Sequence, residues 1–173
     1  GYQGRNMEAD DEIMACVKHF ALYGAPEGGR DYNTVDMSRQ RMFNEYFEPY
    51  KAAAEEGAGS FMTSFNVVDG IPASGNRWLF TDVLRDLWGF DGFVVTDYAA
   101  INEMMVHGLG GPDDVSKMAV DAGVDMDMAG GSYLATLKNL VASGKVSEEQ
   151  IDTAVRRILE AKYRLGLFDN PYK

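Results

Sequence analysis

The chemistry available in this sequence is carboxylate chemistry. Asp97 closes the run Gly92-Phe-Val-Val-Thr-Asp97, an apolar stretch that ends on a polar tip. A carboxylate at the end of a buried strand is fixed by a rigid element and opens onto the face that the strand ends form. Lys18 and His19 end an earlier apolar run, Ile13 to Leu22. Adjacent strand residues point to opposite sides, so both reach one ligand only where the strand stops or bulges. Beside Asp97 they would give a mixed donor and acceptor set, which suits sugar hydroxyls.

Other candidates carry less. Arg30 lies in the Gly-rich loop Tyr23 to Asn33, where a lone arginine is usually solvated. Met62 and Phe65 fall in a third apolar run, where such side chains are more often core than ligand contacts. Asp125 and Asp127 alternate with Val124, Met126 and Met128. If the methionines face helices, both aspartates face the interior, and Asp127 is the one nearer the strand end. A buried hydrogen-bonding role fits Asp127 equally well. His107, in His-Gly-Leu-Gly, reads as a ligand or as a turn residue.

Metal chemistry lacks its residues: two histidines and Cys16 stand in no HExxH or CxxC spacing. No P-loop or GxGxxG follows a strand, and no GxSxG elbow is present. No cofactor is therefore expected.

The elements that must position these residues alternate. Strand patterns at Ile13–Leu22, Ser60–Val67, Gly92–Tyr98 and Val124–Ala129 are each followed by a helical pattern, at Ser38–Gly57, Asn76–Trp88, Asp113–Ala122 and Tyr133–Ala142. Pro49 interrupts the first helix, and Gly123 and Gly144 stop the last two. A capping box, Ser147-Glu-Glu-Gln150, opens a final helix to about Leu165. No tight hairpin signal joins neighbouring strands, so they are expected to run parallel. The fold class is α/β: parallel β/α units, half of a (β/α)8 TIM-like barrel. The Gly-rich loops fall after the strands, on the functional face of such folds.

A whole barrel takes about 250 residues and at least about 200; this chain has 173. Half a barrel leaves two open sheet edges and an uncovered inner face. It must pair with a copy of itself, with another polypeptide, or with the rest of a longer chain. The last is expected, because Gly1-Tyr2-Gln3-Gly4 reads as the tail of an earlier helix. With 16 basic against 27 acidic residues the net charge is −11, which repels phosphate backbones and argues against nucleic acid. No apolar run approaches the roughly 20 residues of a membrane span. The first eleven residues lack a basic and apolar leader, so an export signal would lie outside this chain.

Lys18-His-Phe20, the loop Glu27-Gly-Gly-Arg-Asp-Tyr-Asn33, Trp88-Gly-Phe-Asp-Gly-Phe-Val-Val-Thr-Asp97 and Ile158-Leu-Glu-Ala-Lys-Tyr-Arg-Leu-Gly-Leu-Phe168 together resemble glycoside hydrolase family 3, in its bacterial periplasmic β-glucosidase type. The likeness spans nearly the whole chain and corresponds to the C-terminal half of the family's N-terminal barrel domain. It implies a retaining exo-acting β-glycosidase that releases terminal non-reducing β-D-glucosyl residues through a covalent glycosyl-enzyme on Asp97. Lys18, His19 and Arg30 match positions that bind hydroxyls in the −1 subsite, and Met62 matches a residue lining it. Phe65 falls where many members carry tyrosine, and Tyr98 where tryptophan is common. The family's acid/base glutamate usually comes from a second domain after the barrel. The isolated chain is thus expected to be inactive or weak. Its partners are expected to be a β-glucoside or oligosaccharide, together with the missing barrel half and acid/base domain, in the same parent chain or a second copy. The resemblance implies a periplasmic or secreted location. Two other readings stay open: a non-catalytic, sugar-binding or self-associating half-barrel, and an unrelated (β/α)8 lyase or isomerase needing a metal or phosphate site.

Overall fold

A computed structural model describes residues 6–172. The expectation for Gly1 to Gly4 lies outside the described residues. Six short strands form, β1 (Cys16–Phe20), β2 (Thr34–Val35), β3 (Ser60–Thr63), β4 (Val67–Val68), β5 (Ile71–Pro72) and β6 (Phe93–Val95). The principal sheet has the order β1-β3-β6 and all its pairs are parallel. The expected parallel β/α architecture is the one observed, with helical stretches between successive strands of this sheet and after β6.

Register explains the two faces of this sheet. Val17, Phe61 and Val94 stand side by side in one row. Phe61 and Val94 are fully buried there against helices. Cys16, Ser60 and Phe93 form the next row, which faces the other way because strand side chains alternate. The first row packs into the helix-covered core, while the second is exposed at Cys16 on the β1 edge, half-buried at Phe93 and buried at Ser60 between them.

The covered face is aromatic. The Phe20 ring meets Phe47, Tyr50, Phe61, Phe80 and Trp88 at centroid distances of 5.1–5.7 Å, mostly edge to face. Phe47 and Tyr50 come from the first helical stretch. There α1 (Arg39–Arg41) runs through a wider π-type turn, Met42–Tyr46, into α2 (Glu48–Glu55). Pro49 sits in the first turn of α2, where its missing N–H removes no helical bond. Phe80 and Trp88 come from the helix over Trp78–Leu87 and its cap. Three helices follow β6: α3 (Ala100–Val106), α4 (Pro112–Ala122) and α5 (Ser132–Ala142). The last helix, α6 (Glu148–Arg164), opens with the expected capping box, Gln150 N donating to Ser147 Oγ at 3.2 Å and Ser147 N to Gln150 Oε1 at 2.9 Å.

Two expectations are corrected. A tight hairpin does occur: β4 and β5 pair antiparallel around Asp69-Gly70, whose φ values of 54° and 80° are both left-handed. That is the turn for which Asp-Gly is suited, joining strands too short to show alternation. The pair extends β2 into a second small sheet. The fourth strand, read over Val124–Ala129, is reduced to one parallel bridge, Val95 to Met126. Side chains displace the ladder: Asp125 turns to two arginines, and Met128 N donates to Thr96 Oγ1 at 2.8 Å.

Candidate active site

Asp97 follows β6 immediately, and its backbone is tied on both sides. Its N–H donates to Thr63 Oγ1 at the end of β3 (3.3 Å), and Thr63 Oγ1 shares a 2.7 Å hydrogen bond with Ser74 Oγ. Its carbonyl accepts from Ala100 N (3.1 Å) as α3 begins. Oδ1 accepts from Tyr98 N at 2.7 Å. The other oxygen, Oδ2, lies 3.3 Å from His19 Nε2. The side chains of His19 and Asp97 are 27% and 18% exposed, so the pair is sheltered yet open to a ligand.

His19 reaches Asp97 because β1 is irregular there. The pairing register with β3 shifts between Val17 and Phe20. The Lys18–His19 and Phe20–Ala21 peptide bonds are cis. Lys18 is exposed beside His19. Met62, half-buried, pairs in register with Val95, two residues before Asp97. Tyr98 is 68% exposed and adjoins the carboxylate. The structure thus gathers Asp97, His19, Lys18, Met62 and Tyr98 at the C-terminal end of the sheet. Arg30 is exposed just past the helical turn Glu27–Gly29 and, among the described residues, forms no ion pair with Asp97. His107 is exposed at the end of α3.

Burial lowers the pKa of His19 from its ordinary 6.5, with Lys18 helping and the charges of Asp97 and Asp31 opposing. The unfolded chain therefore takes up this proton first as pH falls. The folded state loses stability from pH 6.5 down to the lower folded value. Thermal unfolding of the chain and of His19→Gln between about pH 7.5 and about pH 5.5 reads this directly. The midpoint is expected to drop less in the variant; equal drops would show that His19 does not contribute.

Three residues that sequence reasoning did not single out complete this end of the sheet. The Tyr23 ring lies 5.0 Å from that of His19, and its hydroxyl hydrogen-bonds to Asp31. Burial first, then this bond to Asp31, pushes the Tyr23 phenol well above its usual range. Tyr32 packs on Phe65 at 4.6 Å, and Phe65 stands 6.1 Å from Tyr23. Burial, and then the charges of Glu103, Asp31 and Asp97, raise Tyr32 as well. The signal for all three was their place in the loop that follows β1, on the strand-end face.

Neither Asp125 nor Asp127 joins Asp97 and His19; both take hydrogen-bonding roles, the alternative that the sequence left open for Asp127. Asp125 is buried and accepts from Arg85 Nη2 (2.6 Å), Arg157 Nη1 (2.8 Å) and Val94 N (2.8 Å). Asp127 Oδ2 accepts from Tyr133 N (3.2 Å) in the first turn of α5, where the helix dipole favours a negative charge. A cavity of about 340 Å³ lies between α4, α5 and α6, lined in part by Asp121, Tyr133, Gln150 and Arg157. Neither Asp97 nor His19 lines it.

Residues 1–161 match the family described as the glycosyl hydrolase family 3 N terminal domain. A periplasmic beta-glucosidase of Salmonella typhimurium is 48% identical over 171 residues, 98% of this chain and 22% of that protein. A putative beta-xylosidase of Formosa agariphila is 37% identical over 163 residues, 92% of this chain and 22% of that protein. Among solved structures, a beta-glucosidase from Listeria innocua superposes with a TM-score of 0.94 at 45% identity, covering 96% of this chain and 23% of that one. The chain thus spans about a fifth of the length of these relatives. The match over residues 1–161, together with 48% identity across nearly the whole chain, shows the kinship: this chain belongs to glycosyl hydrolase family 3, within its N-terminal domain.

Proposed function

We propose that this chain is the nucleophile-bearing part of a retaining exo-acting β-glycosidase that removes terminal non-reducing β-D-glucosyl residues. The observation that carries the reading is the 3.3 Å approach of His19 to Asp97 at the C-terminal end of the parallel sheet. A sheltered carboxylate with one oxygen held by a backbone N–H and the other beside a polar ring is arranged to attack, not to pair with a lysine or arginine.

In this reading Asp97 attacks the anomeric carbon, the aglycone leaves with a proton from an acid group, and a glycosyl-enzyme ester forms. Water, deprotonated by the same group, then attacks the anomeric carbon, breaks its bond to the Asp97 oxygen, and releases the sugar with the carboxylate restored. Lys18, His19 and Arg30 bind ring hydroxyls and so orient the sugar for in-line attack. Met62 lines the subsite, and Tyr98 forms part of its rim. The acid/base carboxyl belongs about 5–5.5 Å from Asp97. We assign it to a part of the protein outside these 173 residues, as we do the first half of the barrel. The names of the similar proteins support a β-glucoside or oligosaccharide substrate and a periplasmic or secreted location.

The test uses the full-length protein that contains this chain, assayed on aryl β-glucoside and aryl β-xyloside. A higher kcat/KM for the glucoside is expected, with the β-anomer of glucose appearing first by proton NMR. Release of α-glucose first would overturn the retaining mechanism; preference for the xyloside would overturn the sugar assignment. A non-catalytic sugar-binding module would bind glucosides and release nothing.

A further inference from the structure

His19 sits where the β1 ladder breaks register, so the sheet alone does not hold it. Other groups do. The His19 carbonyl accepts from the Tyr50 hydroxyl on α2 at 2.9 Å. The Phe20 carbonyl accepts from Ser64 N at 3.0 Å. The Ala21 carbonyl accepts from two side chains, Ser64 Oγ at 3.0 Å and Asn66 Nδ2 at 3.1 Å. Three successive carbonyls are thus fixed by groups from α2 and from the segment after β3. Ser64 and Asn66 are fully buried, and Asn66 Oδ1 finds no partner among the described residues. A buried polar atom left unpaired costs stability, so a compensating role for this amide is called for.

Tyr50 is the informative member. It is half-buried, its ring packs edge-on against Phe20 at 5.1 Å (71°), and burial raises its phenol. The ring belongs to the core, but the hydroxyl alone reaches the backbone of the residue that faces Asp97. Tyr50 touches neither Asp97 nor His19's ring in the described contacts.

We propose that Tyr50, supported by Ser64 and Asn66, is a positioning residue that sets the place of the His19 imidazole relative to Asp97. This rests on the functional reading above, in which His19 binds a sugar hydroxyl. Tyr50→Phe keeps the ring and removes only the hydroxyl, so the core stays filled. If the hydroxyl acts through His19, its loss is felt only when His19 is present.

The experiment is a double-mutant cycle on kcat/KM in the full-length protein, with Tyr50→Phe, His19→Ala and the pair. Tyr50→Phe is expected to lower kcat/KM about 3- to 10-fold, the worth of one hydrogen bond, and less than about 2-fold in the His19→Ala background. An equal loss in both backgrounds would show a merely structural hydroxyl and overturn the proposal. A second arm needs no activity. In full-length protein with nitrogen-15-labelled histidine, Tyr50→Phe should move the ring resonances of His19 and leave those of His107 in place. Unmoved His19 resonances would overturn the proposal even if the glycosidase reading stands. Moved resonances in a protein without glycosidase activity would keep the positioning and remove the functional reading. Ser64→Ala, which removes a different donor from the same segment, should move the same resonances; a His19 signal indifferent to it would contradict the shared role.

Discussion

Asp97→Asn is expected to reduce kcat of the full-length protein by on the order of 10⁴-fold or more, the scale on which nucleophile deletions act. The asparagine keeps an oxygen to accept from Tyr98 N and keeps its own N–H on Thr63 Oγ1, so the local fold has no reason to change. What disappears is the negative charge and the oxygen that bonds the anomeric carbon. An unchanged unfolding midpoint beside a lost turnover would separate chemistry from folding. Asp97→Gly extends the test. It opens space for a small anion beside the sugar, and added azide should then attack from the vacated side and give the α-glycosyl azide. A variant that retains more than about a tenth of the original kcat would remove Asp97 from the mechanism.

The second large effect concerns stability and lies away from the site. Asp125 is almost wholly buried, with its carboxylate shared between Arg85 and Arg157 and capped by Val94 N. Arg85 also donates to Gly92 O at 2.9 Å and Gly123 O at 3.4 Å. One network therefore ties the start of β6 to the end of α4 and to α6. Its electrostatics are costly. Burial raises the pKa of Asp125 in spite of both arginines, and lowers that of Arg85 to about 10. Such a network stabilises little overall, but removing one member strands the others. Asp125→Ala should therefore destabilise the chain by about 3–5 kcal/mol, by leaving a buried guanidinium unpaired. Denaturant titration by circular dichroism measures it. A loss below about 1 kcal/mol would show that water or a shifted side chain replaces the carboxylate.

What the residues disclosed in advance follows from range. Phe93-Val-Val95 announces a buried strand through three adjacent apolar, mostly β-branched residues, and Thr-Asp announces its end. Ser147 and Gln150 make a reciprocal cap within four residues of chain. Both are local features. The Val-Asp-Met-Asp-Met alternation also has the period of a strand, yet Asp125 is claimed by arginines that lie far away in sequence, and only one bridge remains. The β4–β5 hairpin was masked because two-residue strands carry no period, although Asp69-Gly70 carried the turn.

The site divides in the same way. Asp97 was legible because its position on the strand-end face follows from its own segment. The approach of His19 was foreshadowed only as a condition, that the strand stop or bulge, and the register shift after Val17 meets it. The hold of Tyr50 on the His19 carbonyl joins residues 31 apart through a core contact that no local pattern encodes. Tyr23, Asp31 and Tyr32 sit in a loop whose course is set by what it packs against, so their approach to His19 and Phe65 is a product of tertiary structure.

The central claim is that Asp97 forms the bond to the sugar. A 2-deoxy-2-fluoro-β-glucoside with a good leaving group addresses it most directly. The fluorine slows both chemical steps by opposing positive charge at the anomeric carbon, and the leaving group restores the first, so the glycosyl-enzyme accumulates. After incubation with the full-length protein, mass spectrometry should show one added fluoroglucosyl group, carried by the peptide containing Thr96-Asp97-Tyr98 and located on Asp97. A label on any other residue, or inactivation with no added mass, would contradict the account.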